Sequence, residues 1–148
     1  VVQDEYADLL DGDDVAAVAG STYGLCEFLD VRCQEALDAD AGGAKVAYHG
    51  HCNQKALNRD HHAAAVLSRA GYAVETLDST CCGMAGSFGY EAEHYDLSMA
   101  IGDRLLEQVA ATDAEPVAPG ASCRTQLADG RDGERPAHPV EKLAAALS

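Results

Sequence analysis

Basic residues are scarce in this 148-residue chain: 10 Lys and Arg stand against 25 Asp and Glu, a net charge of −15. So little positive charge leaves no footprint for neutralising nucleic-acid phosphates, and anionic membrane surfaces repel the chain. Long apolar runs are missing as well. None approaches the roughly 20 residues that a spanning helix needs, and nothing reads as a secretory signal peptide. There is no phosphate-cradling loop, no Gly-x-Ser-x-Gly elbow and no tight Gly-x-Gly of a dinucleotide fold. Lysine is nearly absent, with three residues against seven Arg and fifteen Asp, and Ile101 is the sole isoleucine. Such a carboxylate-dense, lysine-poor composition fits a high-salt milieu, where ions screen self-repulsion.

The length suits a single domain with a real core. Residues 1–38 read as helical, with Tyr6, Leu9 and Leu10 on one apolar stripe and Leu25, Phe28, Leu29 and Leu37 on a second. Gly42 and Gly43 break the pattern. Beyond them, short apolar segments alternate with helical ones. Strands are expected at 45–48, 72–77 and 115–118. Helices are expected at about 56–70, 90–111 and 122–128, and from Pro139 onward. The long helix should bury Tyr90, His94, Leu97, Ile101, Leu105 and Val109. This alternation predicts an α/β fold, a short parallel sheet flanked by helices, with a helical N-terminal segment.

Six cysteines are many for a chain with no secretory signal, and they favour metal or redox use over a disulfide framework. Cys52 follows the first strand, Cys81 and Cys82 the second, and Cys123 the third. In an open parallel sheet, ligands collect outside the carboxyl ends of the strands. Four thiols from three loops should therefore converge on one edge. The 28 residues between Cys52 and Cys81, and the 40 between Cys82 and Cys123, each fit one helix plus one strand. Helices starting after these loops would aim their N-termini at the site and favour thiolate. Gly83, Gly86 and Gly89 recur every third residue, which lets backbone amides approach a bulky ligand. The competing reading, four small buried hydrophobes, is the one preferred for Cys26 and Cys33. Zinc is the rival metal, although the tight Cys-x₂₋₄-Cys knuckles of zinc sites are missing. His61 and His62 read as solvated.

The run Cys81-Cys82-Gly83-Met84-Ala85-Gly86-Ser87-Phe88-Gly89 resembles the signature of the CCG, or cysteine-rich, domain family. The resemblance extends over about residues 44–148. His49-Gly50-His51-Cys52-Asn53 is similar to the family's first cysteine site, and Pro119-Gly120-Ala121-Ser122-Cys123 to its third. His138-Pro139-Val140-Glu141 resembles the start of the family's last helix. The family includes iron–sulfur subunits of glycolate oxidase and anaerobic glycerol-3-phosphate dehydrogenase, FAD-linked D-lactate-type dehydrogenases, and one of the subunits of heterodisulfide reductase. The resemblance implies an iron–sulfur cluster of the 4Fe–4S kind on Cys52, Cys81, Cys82 and Cys123, with zinc as a possible substitute. Gly83, Gly86 and Gly89 would lie against the cluster, and His51, Ser79, Thr80 and Arg124 around it. It further implies electron transfer from a flavin-containing partner domain or subunit, where FAD would sit, to a downstream acceptor. The parent oxidoreductase would act on a small 2-hydroxy acid or glycerol 3-phosphate. Disulfide cleavage at the cluster, or a zinc-bound or metal-free scaffold, stand as alternatives.

Two departures from the family pattern matter. Gln126 stands where the fullest pattern has a second cysteine three places after Cys123, so four thiolates fit better than five. The motif also occurs once rather than twice. With the Val1 start, the expectation is a single domain forming the C-terminal fragment of a larger protein. It would be cytoplasmic, reaching the inner face of a membrane only through partners.

Overall fold

All three expected strands form in the computed structural model, which describes residues 2–35, 39–79 and 81–147. Lys45–Tyr48 (β1), Ala73–Thr76 (β2) and Glu115–Val117 (β3) make a parallel sheet in the order β2-β1-β3. Val46 lies opposite Val74 on one side and Glu115 on the other. Parallel neighbours need long crossovers. Helices α4 (Cys52–Ala56) and α5 (His61–Arg69) make the first of them. The second runs through a turn of 3₁₀ helix at Phe88–Tyr90 and then α6 (Tyr95–Ala110). Helices α1 (Tyr6–Leu9), α2 (Asp13–Ser21) and α3 (Leu25–Arg32) precede the sheet; α7 (Ala121–Asp129) and α8 (Pro139–Ala146) follow it.

Strand β1 is central, and its side chains alternate between two cores. Val46 and Tyr48 pack with Cys26, Ala63, Val66, Leu67, Ala70 and Leu143, which belong to α3, α5 and α8 or lie at their ends. Ala47 faces the other way, toward Leu77, Met84, Leu105, Val109 and Leu127. Leu67, Leu105 and Leu127 are fully buried, each stabilising the fold by about 1.5–3 kcal/mol. Because the strands run in one direction, their carboxyl ends share one edge.

Several elements differ from expectation for identifiable reasons. The helix expected at 56–70 is divided, because Asn58 adopts a left-handed φ of 54° between α4 and α5, a conformation asparagine tolerates. The long helix begins at Tyr95 rather than 90 and buries Ser98, Gly102, Leu105 and Val109. Leu97 and Tyr90, expected inside, are exposed. The contact there is made by small residues, which carry no hydropathy signal. The N-terminal segment forms three short helices, but the two expected stripes are not buried: Leu9, Leu10, Leu25 and Phe28 are exposed. Leu37 lies outside the described residues. Strand β2 is an edge strand, so of its side chains only Val74 is partly buried. Among the described residues, no helix is long and apolar enough to cross a membrane.

Charges tie α3 to α5. The Asp30 carboxylate accepts from Arg69 at 2.5 Å and meets His62 Nδ1 at 2.7 Å, so His62 is paired rather than solvated. Glu27 pairs with Arg59 at 2.7 Å. Burial alone would raise the Asp30 carboxyl, but His62 and Arg69 outweigh it and hold it below its ordinary value. A depressed carboxyl contributes stability above its unfolded pKa of about 3.9 and loses it as pH falls further. Asp30→Asn is therefore expected to cost about 1–3 kcal/mol at neutral pH. In urea unfolding, the gap from wild type should narrow below about pH 4.

Candidate metal centre

Just past β1, His49 still pairs with the sheet, its amide donating to Val117 O at 2.9 Å. Its side chain follows the alternation of β1 onto the face of Ala47 and is 1% exposed. Ring atom Nδ1 lies 2.6 Å from Ser79 Oγ. The other nitrogen, Nε2, is buried with no hydrogen-bond partner. Ser79 is also buried, and its carbonyl accepts from Lys55 Nζ on α4. Two anchors from the first crossover thus hold the stretch ahead of Cys81.

The cysteine loop is pinned next. The Gly83 amide donates to Cys81 Sγ at 3.3 Å, and the Met84 amide donates to the Cys82 sulfur. Gly83 has φ +92°, and a Cβ there would overlap the Ser98 carbonyl oxygen of α6; one at Gly89 would overlap Ser98 Oγ. These two glycines let the loop lie directly on α6. Gly86, with φ +71°, faces open space. Gln126 closes the same seam from α7: it is buried, and its Nε2 donates to Ser98 O at 3.1 Å. Gly102 makes room for that amide, since a Cβ there would sit 2.5 Å from Nε2.

Cys82 and Cys123 pack in one buried cluster across this seam, and their thiols are coupled. That coupling brings the Cys82 thiol down to about 4; burial opposes it, while His49 and the Met84 amide reinforce it. Cys123 is held well above the ordinary thiol range by its bond to Cys82, by burial, and by charge on Cys82, Cys52 and Cys81. The coupling holds Cys82 low and Cys123 high. Cys52, the first residue of α4, is exposed; Cys81 is half-buried, and Cys82 and Cys123 are buried. Cys26 lies in the opposite core, its thiol pushed up to about 11 by burial. Cys33 ends α3, half-buried.

The flanking residues take distinct places. His51 precedes α4 and packs on Gly120, where an added Cβ would sit 2.5 Å from His51 Cδ2 and 2.9 Å from Cys123 Sγ. Gly120 thereby seats the ring beside Cys123. The Arg124 guanidinium lies 3.9 Å from Glu141. Glu141 Oε2 accepts from the His138 amide at 2.6 Å, and His138 Nδ1 from the Val140 amide at 3.1 Å, so the expected start of the last helix is a capping box. Burial and the nearby Arg124 charge hold His138 below its ordinary value. Thr80 lies outside the described residues. Among the described residues, Glu91, Glu93 and His94 form a trio with donor atoms within 4.8 Å of one another, at the surface before α6; no cysteine trio is that tight.

Sequence reasoning underrated His49 against His51 and missed Lys55. Continuing the period of β1 by one residue puts His49 on the Cys82 face, a usable signal. Lys55 left none, because its contact is to a backbone carbonyl 24 residues away.

The profile of the CCG cysteine-rich domain matches residues 46–128 of the chain. The chain belongs to this family. The CCG chain is 33% identical over 106 residues to a subunit of anaerobic glycerol-3-phosphate dehydrogenase from Escherichia coli K12, covering 70% of this chain and 26% of that protein. It is 32% identical over 111 residues to D-2-hydroxyglutarate dehydrogenase from the same strain, covering 71% of this chain and 11% of that protein. The Pseudomonas putida KT2440 protein of that name is 38% identical over 62 residues, 42% of this chain and 6% of that protein. This CCG chain thus spans about a quarter of the glycerol-3-phosphate dehydrogenase subunit and about a tenth of the hydroxyglutarate enzyme. No solved structure matches it significantly.

Proposed function

We propose that this CCG domain is the iron–sulfur electron-transfer domain of a flavin-linked oxidoreductase, with Cys52, Cys81, Cys82 and Cys123 as cluster ligands. The observation that carries this reading is the meeting of Cys82 and Cys123 at the edge where all three strands end, within reach of charge on Cys52 and Cys81. A 4Fe–4S cluster held there would accept and release single electrons. The chain's residues suit that task. The Cys82 thiol is held below its ordinary value, which eases the loss of its proton on metal binding. The amides of Gly83 and Met84 donate to ligand sulfurs and offset their negative charge. Buried Cys82 and Cys123 keep water from one side, while exposed Cys52 marks the side open to an electron partner.

The four cysteines lack the tight Cys-x₂₋₄-Cys spacing of a zinc knuckle, which favours a cluster over a lone zinc. The Gln126 amide is committed to α6, which favours four ligands and speaks against the five-cysteine arrangement of disulfide-cleaving relatives. Two relatives are named as dehydrogenases of glycerol 3-phosphate and of 2-hydroxyglutarate. They support a small hydroxylated acid or phosphate as the parent enzyme's substrate, bound on a flavin-bearing partner together with FAD. The acidic, lysine-poor composition supports a high-salt milieu.

Anaerobic reconstitution of the full chain tests the reading. The expected product is brown, absorbs near roughly 400 nm and carries about four iron and four sulfide per chain. Stoichiometric zinc without sulfide, or no metal at all, would overturn it.

A further inference from the structure

We infer that His49 donates its Nε2 proton to the sulfur side of the bound centre next to Cys82, and that Ser79 fixes the tautomer that makes this possible. The inference rests on the iron–sulfur reading above and adds a hydrogen-bond donor that no cysteine motif specifies.

Three observations carry it. His49 is 1% exposed, yet Nε2 finds no partner within the protein; a buried ring nitrogen left unpaired calls for an acceptor. The imidazole continues the face of Ala47, which packs with Cys82 and Cys123, so sulfur is the chemistry within reach. The ring cannot turn to find another partner, because Nδ1 is held at 2.6 Å by Ser79 Oγ, Ser79 O is held by Lys55, and the His49 amide is fixed on Val117 O.

The direction of the bond follows from donor bookkeeping. Were Nδ1 to donate to Ser79, Nε2 would present a bare lone pair to thiolate sulfur, and lone pair would face lone pair. With the Ser79 hydroxyl donating to Nδ1, Nε2 carries the hydrogen. Thiolate and sulfide sulfurs accept and cannot donate, so the second arrangement is the one that satisfies both sides. A hydrogen bond to sulfur stabilises the more negative, reduced state and raises the reduction potential.

The test is a potentiometric titration of the reconstituted full chain, followed by EPR, in wild type and three variants. His49→Leu removes the donor and should lower the potential by about 59 mV, a tenfold fall in the reduced-to-oxidised ratio for one electron. His49→Gln, whose amide nitrogen can stand in for Nε2, should recover most of that shift. Ser79→Ala should move the potential the same way by a smaller amount. A His49→Leu protein with a full cluster and the wild-type potential would overturn the inference. If His49→Leu fails to take up iron, Ser79→Ala decides, and an unmoved potential there rejects it. Wild type without iron would sink the proposed function and this inference together; a loaded wild type with unshifted variants sinks this inference alone.

Discussion

Cys82→Ser is expected to abolish cluster uptake, taking bound iron from about four per chain to near zero, while Cys26→Ser keeps it. Cys82 is where the site's interactions meet: it receives hydrogen bonds from Cys123 and the Met84 amide and lies beside His49. These contacts hold its thiol below the ordinary range. A serine hydroxyl there would stay protonated and offer a harder, poorer ligand to iron. Cys26 sits in the other core, its thiol raised to about 11 by burial. Its replacement by serine leaves a buried hydroxyl and should cost about 1–3 kcal/mol of stability without touching the metal. Iron and acid-labile sulfide per chain, read beside far-UV circular dichroism, separate the two effects. Bleaching by Cys26→Ser would mean that the ligand set is misassigned.

Gly83→Ala should be the most damaging single-methyl change in the cysteine loop. A non-glycine residue at φ +92° costs about 1–2 kcal/mol. The added Cβ also overlaps the Ser98 carbonyl oxygen, and overpacking of that kind costs about 1–3 kcal/mol more. Together these give about 2–5 kcal/mol. Gly86→Ala meets only the backbone strain, because open space surrounds that position. Urea unfolding of both variants tests the difference. Equal losses would mean that the loop does not lie on α6 as described. Displacing the loop also carries Cys81 and Cys82 away from Cys123, so iron uptake should fall with Gly83→Ala and persist with Gly86→Ala.

Much of the architecture is legible in the sequence, because β1 and α5 state it by period. Val46, Ala47 and Tyr48 are a short buried run, and Ala63, Val66, Leu67 and Ala70 form one helical face. The parallel order and the shared carboxyl edge follow from alternating helices and strands, which is why the cysteines can be assigned to that edge from their positions alone. The seam between the loop and α6 is not legible. Its contacts are Gly83, Gly89, Ser98, Gly102 and Gln126, residues that hydropathy ranks as surface, so the expected stripe shifts to Leu97 and Tyr90. Gln126 stands out as a missing cysteine, but its job as a strut between α7 and α6 depends on a carbonyl 28 residues away. The coupling of Cys123 to Cys82 is equally hidden, since it depends on contact between two distant loops.

The nature of the atoms at that seam limits how the chain can change over generations. At Gly89 the two closest obstructing atoms are Ser98 Oγ and Met84 Sδ, which a smaller neighbour would remove. At Gly83 the obstructing atom is a main-chain carbonyl, and every amino acid brings one. A lesion at Gly89 therefore has routes to second-site suppression, whereas a lesion at Gly83 has no suppressor at position 98 and can be relieved only by reversion or by moving the whole helix.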